Sequence, residues 1–289
     1  MIIERRKRPY KIFDRPFVFF MGPQRSGTSW LDRYLRSRDD VCLPDDVKEV
    51  FFFDRDFDKG IGSYAAHFHP NDAHKIITEI STTSFDHELA PKRLFDVFGQ
   101  DVKLVCPLRN PIVRSYSLYL HYLRYGIVTG SLKEACEQHP QILDSSRYAD
   151  NIKRWLKFYD LNNINFVYQE DLESDQDLYI HEICDILDIP FVPLPIELRA
   201  RFNVTTFSNF GRVAGYAQRF ADWLRQHRLY FLINFAKALG MKRLIFGKEE
   251  PDAVKNEMPA EDAMFLQEQL GQEIEKFETL VGYKVAAWS

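Results

Sequence analysis

The chain has 289 residues, of which 45% are hydrophobic and 28% charged, and a formal net charge of -4. This is ample apolar material for a core, and it excludes a disordered polyelectrolyte and a protein drawn to nucleic acid by bulk charge. Cys42, Cys106, Cys136 and Cys184 are scattered without a C-x-x-C pair, so they read as reduced core thiols of a cytoplasmic protein rather than a disulfide frame or a zinc site.

In chain order, Arg5-Arg6-Lys7-Arg8 comes first and reads as a solvated arm, with contact to an anionic partner as the alternative. No signal-peptide core or membrane-length apolar run is visible. Phe17–Met21 is a short apolar run that predicts a buried strand. It ends in Gly22-Pro23-Gln24-Arg25-Ser26-Gly27-Thr28-Ser29, after which a helix is expected from Thr28 to about Ser37. This is the layout of a phosphate-cradling loop opening a helix, but the lysine of G-x-x-x-x-G-K-[ST] is missing and Arg25 lies inside the loop. The free amides of a helix N-terminus, the hydroxyls of Thr28 and Ser29 and the permanent charge of Arg25 suit a phosphate group. The alternative is a plain strand–turn–helix corner.

Further strands are expected at Lys75–Glu79, Lys103–Leu108 and Asn165–Gln169, with helices from Pro111, over about Arg147–Tyr159 and over about Leu178–Leu187. Alternating strands and helices predict an α/β fold, a mainly parallel sheet with helices on both faces, whose ligand edge lies beyond the carboxyl ends of the strands. Gly22 and Arg109 both fall at that edge. Asn110 is a good N-cap, Pro111 a favoured first helical residue and Gly126 a natural stop. Arg109 before that helix and Ser117 two turns into it suit a phosphate monoester. Two anion sites then predict one nucleotide with phosphates at both ends.

The proline-rich Pro190–Pro195 closes a compact core of about residues 15–195, and a helical extension follows over about 216–289, all within one domain of residues 1–289. Arg219 to Lys248 reads as a basic amphipathic helical stretch, either packed on the core or a second subunit, or serving as a lid or peripheral membrane contact for an amphiphilic acceptor. Residues 260–280 predict a polar helix with an apolar stripe. His67, His69, His74 and His87 have no metal-ligand spacing and read as ordinary polar residues.

These residues carry a resemblance to sulfotransferases that use 3'-phosphoadenylyl sulfate (PAPS). Pro23 through Trp30 resembles the family's 5'-phosphosulfate loop, and Arg109 through Ser117 its 3'-phosphate motif. Lys48-Glu49-Val50-Phe51-Phe52-Phe53-Asp54, followed by Lys59-Gly60-Ile61-Gly62-Ser63-Tyr64, is similar to the carbohydrate branch that includes heparan sulfate enzymes. Ser146-Arg147-Tyr148 with Trp155 resembles the helix after the 3'-phosphate motif.

The resemblance implies a P-loop-like three-layer fold and a PAPS-dependent transferase needing no metal. It implies that Arg25, Ser26, Gly27, Thr28 and Ser29 hold the 5'-phosphosulfate, Arg109 and Ser117 the 3'-phosphate, and Trp30 and Tyr148 the adenine. Glu49 is implied as the base beside a catalytic Arg25, with Glu79 as the competing carboxylate. Glu79 is followed by Ile80, so the lysine that the heparan branch carries there is absent. The family's C-terminal nucleotide loop is placed at Asn203 to Gly215, with Arg212. The acceptor is a hydroxyl on a sugar, a lipid or another natural product. The alternatives are a P-loop kinase or nucleotide triphosphatase, and a non-catalytic nucleotide-binding scaffold.

Overall fold

In the computed structural model, the described residues are 12–100, 102–199 and 258–288. The Arg5–Arg8 arm, the loop expected at Asn203–Gly215 and the basic stretch Arg219–Lys248 lie outside them. The chain divides into two compact units. The first takes residues up to Asn110, from Arg147 to Ala200 and from Glu273 onward; the second takes Pro111–Ser146 and 201–272.

The first unit is built on a five-stranded sheet of order β2-β3-β1-β4-β5. Its strands are β1 (Phe17–Phe20), β2 (Val41–Cys42), β3 (Ile76–Ile80), β4 (Lys103–Leu108) and β5 (Ile164–Tyr168). Every pairing is parallel, with Phe19 opposite Glu79 on one side and Leu104 on the other. Parallel strands need crossovers, and helices supply them. The crossovers carry α1 (Thr28–Arg36), α2 (Ile61–Ala65), α3 (Ala90–Phe98) and α7 (Tyr148–Trp155), and α8 (Gln169–Ser174) and α9 (Gln176–Leu187) follow the last strand.

All four β1 residues are buried, as a strand covered on both faces requires. Phe17, Phe19 and Met21 join one cluster with Leu94 of α3 and with Ile152 and Trp155 of α7, where Phe17 stacks on Phe98 with ring centroids 4.2 Å apart. Val18 and Phe20 point to the opposite face and are equally buried. The chain passes from β1 to β2 and β3 on one side of the sheet, then crosses to β4 and β5. That reversal puts the topological switch point beyond the carboxyl end of β1.

The described residues of the second unit form helices: α4 (Pro111–Arg124), α5 (Leu132–Gln138), α6 (Gln141–Asp144) and the first half of a helix that spans Ala260–Val281. Its core joins Tyr116, Leu118 and Tyr119 of α4 to Leu132, Ile142, Leu266 and Leu270. Ser131 and Glu134 form a capping box at the start of α5. Arg114 is fully buried and donates to the Ser146 hydroxyl (2.5 Å) and the Ile142 carbonyl (2.6 Å).

The expected α/β class and four of the strands are present, with edges moved by a residue. Lys75–Glu79 becomes Ile76–Ile80, and Asn165–Gln169 becomes Ile164–Tyr168 because Gln169 already opens α8. The expected Arg147–Tyr159 helix is shorter, at Tyr148–Trp155. The α9 helix starts two residues before Leu178, because Asp175 caps it by accepting from the amides of Asp177 and Leu178. All four cysteines are buried free thiols. Among the described residues, no helix is long and apolar enough to cross a membrane.

Candidate active site

Beyond β1 the chain turns through Met21–Ser26 into α1. A Cβ on Gly22 would lie 2.2 Å from the Pro107 carbonyl oxygen and 2.6 Å from its Cδ, so only glycine lets this loop press against β4. Gly22→Ala is therefore expected to destabilise the fold by about 3 kcal/mol or more, because backbone rather than a flexible side chain must yield. Chemical denaturation midpoints check this.

Arg25 (φ 73°) and Gly27 (φ 77°) both adopt the left-handed conformation, so the chain curls and presents the α1 N-terminus outward. The Ser26 hydroxyl is fully buried without a hydrogen-bond partner among the described residues. A buried orphan hydroxyl at a helix N-terminus, beside two positive-φ residues, suits a loop shaped around an anion. The residues present therefore fit a phosphosulfate group.

Lys48 reaches this loop. Its Nζ lies 3.2 Å from Thr28 Oγ1, 3.3 Å from Ser29 Oγ and 3.5 Å from Glu49 Oε1. One ammonium thus joins the loop hydroxyls to a carboxylate. Glu49 is fixed on its other oxygen, where Oε2 accepts from the Thr82 amide (3.0 Å) and hydroxyl (2.7 Å). Thr82 belongs to the Ser81-Thr82-Thr83-Ser84 run that leaves β3 at the same sheet edge.

Glu79, the competing carboxylate, is fully buried. It accepts from the Tyr64 hydroxyl (2.6 Å) and from the Val50 amide (3.2 Å). Burial pushes its carboxyl up to about 8, against the smaller opposing effect of the two hydrogen bonds. It is enclosed by core groups and holds the backbone beside Glu49.

A carboxyl that titrates higher folded than unfolded binds more protons in the folded state, so stability falls as pH rises from the ordinary carboxylate range to about 8. Glu79→Gln is expected to remove that slope. Its melting temperature relative to the parent then climbs steadily from pH 5 to pH 8 and levels off above, which a pH series of thermal melts checks.

Arg109 follows β4 at the same edge. Its guanidinium lies 3.7 Å from Glu173 on α8, and a Cβ on Gly27 would lie 3.5 Å from Leu172 and 3.7 Å from Gln169 of that same helix. A single helix therefore borders both the loop and Arg109. Ser117 is in α4 of the second unit and is half-buried.

Trp30 and Tyr148, the residues implied for the adenine, are both buried. Trp30 is buried between α1 and α9, with its ring 6.1 Å from those of both Tyr34 and Tyr179. Tyr148 is fully buried, and its hydroxyl donates to the Arg109 carbonyl (2.7 Å). His69 pairs with Asp45, while His74 and His87 accept from nearby backbone amides.

Sequence reasoning left Thr82 and Tyr64 without roles. The hydroxyl-rich run after β3 was a signal for Thr82. Tyr64 meets Glu79 across 15 residues through a long loop, with no local spacing to mark it.

A parallel sheet with a glycine loop at its switch point, and cations facing that loop and the neighbouring strand end, defines a protein that binds anionic groups there. The family model described as "Sulfotransferase domain" matches residues 15–215, so the chain belongs to that family. It is 25% identical over 201 residues to the bifunctional heparan sulfate N-deacetylase/N-sulfotransferase 1 of Caenorhabditis elegans, covering 64% of this chain and 23% of that protein. It is 26% identical over 182 residues to the heparan sulfate glucosamine 3-O-sulfotransferase 6 of Mus musculus, covering 60% of this chain and 52% of that protein. The chain thus spans about half or less of these curated relatives. Among solved structures, a sulfotransferase from Alicyclobacillus acidocaldarius shares the fold, with a TM-score of 0.65, 20% identity and coverage of 96% and 99%.

Proposed function

We propose that this chain transfers the sulfuryl group of PAPS to an acceptor hydroxyl. The observation that carries the proposal is Lys48, which joins the hydroxyls of the anion loop to the restrained carboxylate of Glu49. A donor group and a proton acceptor are thereby held side by side, as in-line transfer requires.

In this reading, the acceptor oxygen bonds to sulfur as the bond from sulfur to the bridging phosphate oxygen breaks. Adenosine 3',5'-bisphosphate leaves, and the acceptor proton passes to Glu49. The transition state of such a transfer is loose, so positioning and charge stabilisation dominate. Arg25, the loop amides at Gly27 and Thr28, and Lys48 steady the charge that develops on the sulfuryl and bridging oxygens. Arg109 takes the 3'-phosphate. Glu173 is the counter-ion that this phosphate displaces from Arg109.

The motif from Lys48 to Asp54 and the relatives named for heparan sulfate support a sugar acceptor, and the relative named a 3-O-sulfotransferase supports a hydroxyl on it. The test is a transfer assay with radiolabelled PAPS against a panel of sugar, lipid and natural-product hydroxyls, alongside ATP with magnesium. Label in a sugar product is expected. ATP hydrolysis, or nucleotide binding with no transfer to any acceptor class, overturns the proposal.

A further inference from the structure

The peptide that carries Arg109 is held from both ends. The Tyr148 hydroxyl donates to the Arg109 carbonyl (2.7 Å), and the next amide, Asn110 N–H, donates to Glu170 Oε1 (2.7 Å). These two holders share one neighbour that lies far away in sequence. Trp288 donates its indole N–H to Glu170 Oε2 (3.2 Å), and its ring packs 5.8 Å from that of Tyr148. It is buried among Tyr168 and Phe277, in a short helical turn at Ala286–Trp288.

Each Glu170 oxygen therefore has its own N–H donor, one from the Arg109–Asn110 junction and one from Trp288. Rotating the carboxylate to suit one donor disturbs the other. We infer that Trp288 is a positioning residue for the 3'-phosphate, fixing through Glu170 and Tyr148 the direction in which Arg109 leaves the sheet. This rests on the reading of Arg109 as the 3'-phosphate ligand. It also extends the nucleotide site to a segment outside the residues matched by the family model, 15–215.

The experiment compares the dissociation constants of adenosine 3',5'-bisphosphate and adenosine 5'-monophosphate by calorimetry. Their ratio isolates the 3'-phosphate. Trp288→Phe keeps a ring but loses the donor, and is expected to shrink the ratio about tenfold while leaving the monophosphate constant unchanged. Glu170→Gln has a single acceptor oxygen for two N–H donors and is expected to shrink it similarly. In the double variant, the remaining oxygen can serve Asn110 alone, so its loss is expected to be no larger than either single loss. A merely structural role for Trp288 would weaken both nucleotides together, which overturns the inference.

Arg109→Ala separates the two levels. If it abolishes the preference for the bisphosphate while Trp288→Phe and Glu170→Gln retain it, the inference fails and the reading of Arg109 stands. If Arg109→Ala itself retains the preference, the reading fails and the inference with it. Should Trp288→Phe not fold, the Glu170→Gln ratio decides alone: an unchanged ratio overturns the inference.

Discussion

Glu49→Gln is expected to lower the transfer rate by about 10²–10⁴-fold while leaving the dissociation constant of adenosine 3',5'-bisphosphate within about twofold of the parent. The side-chain amide oxygen can still accept from the Thr82 amide and hydroxyl, which hold Glu49 Oε2 at 3.0 and 2.7 Å. The local fold and the nucleotide loop therefore persist, and what disappears is the carboxylate that takes the proton. Single-turnover transfer with labelled PAPS reads the first quantity and calorimetry the second. Parental turnover in this variant would remove Glu49 from the role. Glu79 offers no substitute, since it is fully buried under Tyr64 and Val50.

Arg25 is expected to show opposite effects on activity and stability. Its backbone lies at φ 73°, a conformation that costs an L-residue about 1–2 kcal/mol and that glycine adopts freely. Arg25→Gly is therefore expected to gain about 1 kcal/mol of folding stability. The same change removes the cation proposed to steady the charge developing on the sulfuryl group, and its loss is expected to cost about 2.7–4 kcal/mol in the barrier, a fall of about 10²–10³-fold in rate. Arg25→Ala loses the same activity without the gain in stability. Denaturation midpoints and initial rates on the two variants separate the parts. Strain kept at a position whose removal both stabilises and inactivates is strain held for function.

The anion loop was legible because its chemistry is local. Gly22, Arg25, Gly27 and Thr28 lie within seven consecutive positions, and both the turn and the helix N-terminus follow from them. The strands were legible because a parallel sheet buried on both faces writes itself as short apolar runs, of which Phe17–Phe20 and Lys103–Leu108 are clear cases. The strand β2 was not, because Val41–Cys42 has two residues and thus no period to detect.

Tertiary pairing decided the rest. Nothing in the spacing of Glu49 and Glu79 says which is enclosed; the answer lies in Tyr64, whose hydroxyl takes Glu79, and in Thr82, whose amide and hydroxyl take Glu49. The motif around Tyr148 did not show that its hydroxyl donates to the Arg109 carbonyl, since an aromatic ring in the core can still give its one polar atom to a distant backbone acceptor. The fully buried Trp155 was likewise readable only as part of a motif, and in the fold it packs against Phe19 and Tyr159 and donates to the Phe85 carbonyl.

The loop at Arg25 and the strand end at Arg109 are proposed to grip opposite ends of one nucleotide. A crystal structure with adenosine 3',5'-bisphosphate tests it most directly. The account predicts the 5'-phosphate against the Gly27 and Thr28 amides and the Ser26 hydroxyl, with the 3'-phosphate of the same molecule on Arg109. A nucleotide bound elsewhere, or one whose 3'-phosphate points away from Arg109 into solvent, would contradict it.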